Sequence, residues 1–181
     1  MTLLTAHWQP SLDGKLIRLR PLMESDFDAL YSAGSDPAIW EMHPESDRYK
    51  IDKFKKYFRS GIESQGALAI IHQVSGRIIG STRFTNYDEI NSTVEVGYTF
   101  LEREYWGQGY NTELKKLVLN HAFEIIDCVR FRVGEANFRS RHAVEKLGAT
   151  ILSSEEKYSS NGGVSVSVVY QLRKLDWLQK N

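Results

Sequence analysis

The segment Leu101-Glu102-Arg103-Glu104-Tyr105-Trp106-Gly107-Gln108-Gly109-Tyr110-Asn111-Thr112-Glu113 limits the fold more than any other part of the chain. A strand-like run, Thr93 to Phe100, leads into it, and a helix-like run, Leu114 to Ile126, leads out. Gly107 and Gly109 let the backbone turn tightly and approach a ligand with no Cβ in the way. The first-turn N–H groups of the helix have no intrahelical partners and carry the positive end of the helix dipole. Strand, glycine turn and helix N-terminus together make an anion site, most naturally for a phosphate or pyrophosphate. A Walker-type loop needs Gly-Lys-Ser/Thr, and a dinucleotide fingerprint needs three glycines at GxGxxG spacing. Neither is present, so this is a different phosphate cradle.

A second block lies downstream, from Val133-Gly134-Glu135-Ala136-Asn137 to Leu147-Gly148-Ala149. Asn137 and Ser140 suit an N-cap or a first helical turn. Ala143, Val144 and Leu147 fall at helical spacing, and Gly148 suits a left-handed residue after the helix. On local grounds alone, Asn137 and Ser140 are helix caps.

The remaining pattern places these blocks. Met1 to Gly14 reads as an irregular arm, with Trp8 and Pro10 placed to pack on the body. Lys15 to Pro21 alternates as a strand. Ser25 and Asp26 cap a helix carrying Phe27, Leu30 and Tyr31 that ends near Gly34, and Asp36-Pro37 marks a turn. Ile51, Phe54, Tyr57, Phe58 and Ile62 give a second amphipathic helix that stops near Gly66. Ala67 to Gln73, Arg77 to Tyr87 and Thr93 to Leu101 read as successive strands. Asn111 to Asp127 is a long helix with Leu114, Leu117, Val118, His121, Ala122 and Ile125 turned inward. Val129 to Gly134 is a strand and Ser140 to Leu147 a short helix. Ile151 to Tyr158 and Val164 to Arg173 form a hairpin around Asn161-Gly162-Gly163. The order β-α-α-β-β-β-α-β-α-β-β predicts a mixed α/β sheet in a single domain over residues 1–181.

Composition narrows the class. The chain has 181 residues, 41% of them hydrophobic and 25% charged, which is enough for one domain with a real core. Its 23 basic and 23 acidic residues cancel, which argues against a general nucleic-acid binder. A local basic patch remains at Arg130, Arg132, Arg139, Arg141 and Lys146. Cys128 is the single cysteine, so an intrachain disulfide is excluded. Among Ile125, Ile126 and Val129, it reads as a small packing residue rather than a nucleophile. The N-terminus lacks a charged region before an apolar core, and no apolar run approaches the ~20 residues of a membrane span. A cytoplasmic protein is expected, with no membrane and no nucleic acid among its partners. The five histidines show no zinc spacing, so no metal is expected.

The loop resembles the acyl-CoA loop of the GNAT superfamily of N-acyltransferases, which usually reads Gln/Arg-x-x-Gly-x-Gly/Ala. Gly109 matches the central glycine. Trp106 stands where Gln or Arg is usual, and Asn111 where Gly or Ala is usual. Tyr105 to Tyr110, with Thr112-Glu113 after it, is most similar to the ribosomal-protein N-terminal (alanine/serine) acetyltransferase branch. The block from Asn137 to Gly148 resembles the family's Asn-x-x-Ser segment, whose Asn and Ser lie beside the pantetheine arm and thiol. The element order resembles the GNAT fold from Lys15 to Arg173. That implies a splayed, mostly antiparallel sheet flanked by helices, opening after the strand that ends near Leu101. It further implies acetyl-CoA as co-substrate, held by Tyr98, Phe100, Leu101, Trp106, Gly107, Gln108, Gly109, Tyr110, Asn111, Thr112, Asn137 and Ser140. Backbone groups of Tyr98 to Leu101 would pair with the pantetheine amides as an added strand does.

Transfer from a thioester to an amine needs a neutral amine, a donor for the oxyanion and help for the leaving thiolate. A lysine-like amine is mostly protonated at neutral pH, so a base or a water chain is required. Glu95, a carboxylate between Val94 and Val96, is the base candidate, and its structural alternative is a salt bridge. Strand alternation puts Glu95, Gly97 and Thr99 on one face and Val96, Tyr98 and Phe100 on the other. A backbone N–H near Tyr98 to Phe100 is the expected oxyanion donor, and such donors are worth ~3 kcal/mol. Ser140 is the acid candidate, with Tyr98 and Tyr110 as alternatives. Trp40, His43 and Tyr49, in the segment between the first two helices, are the expected acceptor-binding residues. For Trp40 the alternative is a core plug. The acceptor is an amine, a protein N-terminus or a small molecule such as a polyamine, an amino acid or an aminoglycoside. A non-catalytic acyl-CoA-binding sensor or assembly module is the competing class, and a homodimer is left open.

Overall fold

The computed structural model describes residues 8–158 and 164–180. Its elements are β1 (Leu12–Asp13), β2 (Ile17–Pro21), α1 (Phe27–Gly34), α2 (Ile51–Ser64), β3 (Ala67–His72), β4 (Ile78–Asp88), β5 (Thr93–Leu101), α3 (Tyr110–Ile125), β6 (Cys128–Gly134), α4 (Phe138–Lys146), β7 (Thr150–Tyr158), β8 (Val164–Arg173) and α5 (Lys174–Lys180). They build the expected mixed α/β fold, one sheet in the order β1-β2-β3-β4-β5-β6-β8-β7. Every neighbouring pair is antiparallel except β5–β6, which is parallel. Two elements go beyond the sequence pattern. β1 lies inside the segment read as an irregular arm, and α5 extends the chain past β8. The turn expected at Asn161-Gly162-Gly163 lies outside the described residues, as does the arm before Trp8.

Each face of the sheet has its own core. On one face, Leu114, Val118, Leu119, Ala122 and Phe123 of α3 pack on Ile70, Ile79, Val94, Val96, Val129 and Phe131. On the other, Leu30 and Ala33 of α1 and Phe54, Tyr57 and Phe58 of α2 pack on Ala67, Ala69 and Phe100. The inward stripe of α3 is rotated from the expected one. Leu119 and Phe123 are buried, whereas Leu117, His121 and Ile125 are half-buried. Unforeseen α5 is one reason: Trp177 packs beside Phe123 and donates its indole N–H to Asn120 Oδ1 at 2.9 Å. Trp8 does anchor the arm, packing on Phe84 and Tyr87.

A bulge sits at the centre of the sheet. Along β4–β5 the pairs run Phe84 with Val96 and Arg83 with Gly97, then Ser81 with Phe100. Thr82 therefore faces two residues, Tyr98 and Thr99, and Tyr98 takes φ +52°. An extra residue in one strand reverses which side each later side chain takes. Val94 and Val96 accordingly enter the α3 core and Phe100 the α1–α2 core. Simple alternation had put Val96 and Phe100 on one face. Parallel pairing of β5 with β6 covers only Thr93–Glu95 and Cys128–Arg130. The sheet thus opens between β5 and β6 from Val96 onward.

One carboxylate ties the helix that follows the gap to the far edge of the sheet. Glu113, in the first turn of α3, accepts the backbone N–H groups of Lys15, Leu16 and Ile17 at 2.7, 2.8 and 2.9 Å. A Cβ on Gly14 would sit 2.6 Å from Glu113 Oε2, so a larger residue there would push this carboxylate aside. Charge-assisted hydrogen bonds contribute about 1.5–3 kcal/mol each, and less when they share one acceptor. Glu113→Ala is expected to lower stability by about 2–4 kcal/mol in urea unfolding.

Candidate active site

The gap between β5 and β6 is a cleft in two parts. An outer cavity of about 260 Å³ is walled by Ile39, Trp40, Phe100, Leu101, Tyr105, Trp106, Gly107 and Arg139. An inner cavity of about 140 Å³ is walled by Arg48, Val96, Gly97, Tyr98, Lys115, Phe131, Arg132, Val133, Gly134 and Val144. His43, Thr99, Asn111, Asn137, Ser140 and Ala143 line both, which makes the two continuous.

At the outer end, the glycine turn has the form its sequence requires. Gly107 and Gly109 take φ +72° and +88°, and Gly109 is the N-cap of α3. An added Cβ at either would meet nothing closer than Leu16 Cδ1 at 3.9 Å, so it is the backbone conformation that demands glycine. The first N–H with an intrahelical partner is that of Glu113, which reaches Gly109 O at 3.0 Å. Those of Tyr110, Asn111 and Thr112 are left at the positive end of the dipole. Beside them, Trp106 donates its indole N–H to Leu101 O at 2.9 Å, and the Arg139 guanidinium lies 4.1 Å above its ring. Arg139 is one of the cations of the basic patch. Burial pushes its pKa down, and its side chain also reaches Ile39 O at 3.1 Å.

Asn137 and Ser140 lie together in the cleft. Asn137 is buried and is the N-cap of α4, with its Oδ1 accepting the Ser140 N–H at 3.2 Å. Capping and cleft lining are therefore combined in one residue. Gly148 follows α4 in the left-handed conformation, as its position implies.

Several expected contacts are not formed by side chains in the cleft. Tyr110 packs on Tyr105 and its hydroxyl meets His72 Nε2 at 3.1 Å. The Gln108 amide turns back to Glu104 O, and Thr112 is exposed. None of these three lines either cavity. Tyr49 packs against the α1–α2 core and lines neither cavity. Trp40 is 3% exposed and donates its indole N–H to Gly34 O at 2.7 Å, which makes it a core residue whose edge walls the outer cavity. The Tyr98 carbonyl accepts the Tyr57 hydroxyl at 2.8 Å, so one of the backbone groups expected to pair with a ligand is already engaged.

Two expected catalytic candidates sit in different settings. His43 lines both cavities, but both of its ring nitrogens face donors: Glu45 N–H at 2.9 Å and Arg48 Nη1 at 3.3 Å. Burial, then the Arg48 charge, lowers its pKa to about 4. It is neutral at pH 7 and a weak base. Glu95 lines neither cavity. It is buried, accepts the Asn86 amide at 3.1 Å and pairs with Arg132 Nε at 3.5 Å; Arg132 also binds Glu155. The structure thus realises the salt-bridge alternative for Glu95, one step behind the cleft wall.

Sequence reading missed the other cations. Arg48 is buried, with its guanidinium 5.1 Å from the Trp40 ring and 4.9 Å from the Tyr57 ring. Arg83 stacks 4.1 Å from the Tyr98 ring. Lys115 is 6% exposed, and its ammonium donates to Thr99 Oγ1 at 3.3 Å. A helical lysine one residue from Leu114 reads as surface; only the width of the buried stripe on α3 could have flagged it. Among the described residues no group of three or more His, Cys, Asp or Glu could hold a metal, and no helix is long and apolar enough to cross a membrane. Cys128 is half-buried, and burial pushes its thiol pKa up, away from a nucleophile's.

A split parallel strand pair that opens onto a positive-φ glycine turn at a helix N-terminus is the architecture of an N-acyltransferase. Residues 17–150, well over half of the chain, match the Acetyltransferase (GNAT) domain family. The fold is similar to that of a GCN5-related N-acetyltransferase from Brucella melitensis (18% identity, 94% of this chain and 81% of that one, TM-score 0.82). It is similar also to a spermidine N-acetyltransferase from Vibrio cholerae in complex with CoA and spermine (16% identity, 91% and 99% covered, TM-score 0.71). A third is a microcin C7 self-immunity acetyltransferase in complex with acetyl-CoA and AMP (16% identity, 88% and 93% covered, TM-score 0.72). The chain belongs to the GNAT acetyltransferase family, and its activity class is N-acetyl transfer.

Burial lowers the Lys115 pKa from 10.5 to about 8. Between those values the unfolded chain binds the proton and the folded one does not, so stability rises with pH across that window and is lowest below pH 8. Lys115→Met removes the penalty. It is expected to raise stability at pH 7 by on the order of 3 kcal/mol and by much less near pH 10.5, as read by urea unfolding at the two pH values.

Proposed function

We propose that the chain transfers an acetyl group from acetyl-CoA to a primary amine by direct attack in a ternary complex. The observation that carries this reading is the glycine turn at the N-terminus of α3, placed at the mouth of the β5–β6 gap. The pyrophosphate would lie on the N–H groups of Gly107 to Thr112. Arg139, held flat on Trp106, is the cation of the basic patch best placed to meet the phosphates, since Arg141 is tied to Tyr170 and Glu135. The pantetheine arm would run along Thr99 to Leu101 and beneath Asn137.

In the transfer, the amine nitrogen attacks the thioester carbonyl. A C–N bond forms, the C–S bond breaks, the amine gives up a proton and the departing thiolate takes one. Ser140, lining both halves of the cleft, is the donor assigned to the thiolate. Backbone N–H groups at the Tyr98–Thr99 bulge are the donors assigned to the oxyanion. Among the described residues no carboxylate lines either cavity, whereas Arg48, Lys115 and Arg132 line the inner one. Neighbouring positive charge lowers the pKa of an ammonium. The cleft therefore favours the neutral amine, with water carrying the proton out. Glu95 is assigned a positioning role, holding Arg132.

The acceptor that the Tyr105–Glu113 and Asn137–Gly148 resemblance supports is a protein N-terminal α-amine. A small amine is the second reading, favoured by the small inner cavity. Release of free CoA with peptide and small-amine panels separates them.

Gly109→Val forces a β-branched residue to φ +88° and is expected to abolish acetyl-CoA binding in calorimetry, with circular dichroism still that of a folded chain. Glu95→Gln is expected to raise the acceptor KM more than it lowers kcat, by the same factor from pH 7 to pH 9. A kcat loss at pH 7 that recovers at pH 9 would instead make Glu95 the base.

A further inference from the structure

Charge inside the cleft is one-sided. Arg48, Lys115 and Arg132 line the inner cavity, and among the described residues no aspartate or glutamate does. Two of these cations have counterions outside the cavity wall: Glu45 for Arg48, and Glu95 with Glu155 for Arg132. Lys115 has none. Its ammonium meets Thr99 Oγ1 at 3.3 Å and lies 5.6 Å from the centre of the Phe131 ring, and it forms no ion pair among the described residues. Across β5, Arg83 is also buried without a carboxylate, and its Nε has no hydrogen-bond partner.

A buried ammonium without a counterion is costly. Methionine or leucine would fill the same place between α3 and β6 at no such cost. The cavity is also small. At about 140 Å³ against about 260 Å³ for the outer part, it is the narrower half of the cleft. A polyamine would bring further positive charge against Lys115, Arg48 and Arg132. A carboxylate would supply the missing counterion; the Thr99 hydroxyl, which donates to Gly97 O at 3.3 Å, would turn to it as a second donor.

We propose that the inner cleft is a carboxylate-binding site, in which Lys115 and Thr99 receive a carboxylate borne by one of the two reactants. The carboxylate belongs either to the amine acceptor, as in an amino acid or an acidic peptide end, or to the acyl group, as in a dicarboxylic thioester. The proposal rests on the acyl-CoA reading of the cleft and narrows it to anionic reactants. The zero net charge of the chain hides this preference.

Two arms test it on the full-length chain. In the first, calorimetry compares succinyl-CoA with acetyl-CoA. In the second, CoA release from acetyl-CoA is measured with amino acids and with their amides. At least tenfold tighter binding of succinyl-CoA assigns the carboxylate to the acyl group. An at least tenfold higher kcat/KM for amino acids than for their amides assigns it to the acceptor. In either case Lys115→Met should bring the ratio close to one, and Lys115→Arg should restore part of it. Discrimination below tenfold in both arms overturns the proposal, and so does a ratio that survives in Lys115→Met. If acetyl-CoA binds tightly while both ratios stay near one, only the carboxylate site fails. If no thioester binds, the acyl-CoA reading fails with it.

Discussion

The short pairing of β5 with β6 is the constraint on which the rest of the molecule depends. Only Thr93–Glu95 and Cys128–Arg130 join the two halves of the sheet. Past Glu95, the extra residue at Tyr98–Thr99 turns β5 away while β6 continues along β8. An unpaired strand edge inside a domain leaves polar backbone groups to be satisfied, and part of the chain is arranged to do so. The Tyr57 hydroxyl holds the Tyr98 carbonyl and also meets the Ser81 hydroxyl, fixing the bulge from the α2 side. Trp106 takes the Leu101 carbonyl. Thr99 bonds Thr82 across the bulge at 2.8 Å and receives the Lys115 ammonium from the α3 side. The bulge is therefore held from both cores at once, and the gap beside it is a built feature of the fold.

The same arrangement explains why charge collects where it does. Arg83, opposite Gly97, is drawn under Tyr98 and bonded to Ser60 and to the Tyr57 carbonyl. Arg48 arrives from the segment before α2 and lies over Trp40 and Tyr57. Cation–π contacts of this kind help guanidinium groups sit in an aromatic wall, Arg48 with Glu45 beside it and Arg83 with no ion pair among the described residues. Equal numbers of acidic and basic residues in the whole chain say nothing about such segregation, because a net count carries no positions. Lys115 is the extreme case, since its burial lowers stability at neutral pH while placing an ammonium in the cleft. Stability given up at a site is a common mark of function.

Much of this was legible in the sequence, and the parts that were not share a cause. Strands β5 and β8 have the bounds their alternation implies, and Gly107, Gly109 and Gly148 have the positive φ that their positions require. Asn137 caps α4 as its residue type indicates. These are local features, set by φ, by capping and by period. The bulge depends on one residue of β4 facing two of β5, which no pattern within β5 encodes. Trp40 and Tyr49 sit in a turn-rich segment that reads as exposed, yet both pack against the α1–α2 core. Tyr110 was drawn from the cleft to Tyr105 and His72 by packing between α3 and β3. Lys115 and α5 were missed because burial by a distant element leaves no trace in a short window.

Basicity in the cleft bears on how the proposed reaction handles its proton. The usual demand is a base strong enough to deprotonate an ammonium. His43, with both ring nitrogens facing donors and a pKa near 4, does not meet it, and Glu95 is committed to Arg132. An environment can meet the demand from the other side, by making the ammonium unfavourable. Each cation within a few ångströms of a desolvated ammonium works in that direction, and the inner cavity is lined by three. A carboxylate on the reactant would bind the same cations and offset part of the effect. The balance then depends on distance: the carboxylate must reach Lys115 while the amine stays near Ser140 and Asn137. That separation, set by the turns of α3 and α4 that face the gap, is the geometric criterion a suitable acceptor would have to satisfy.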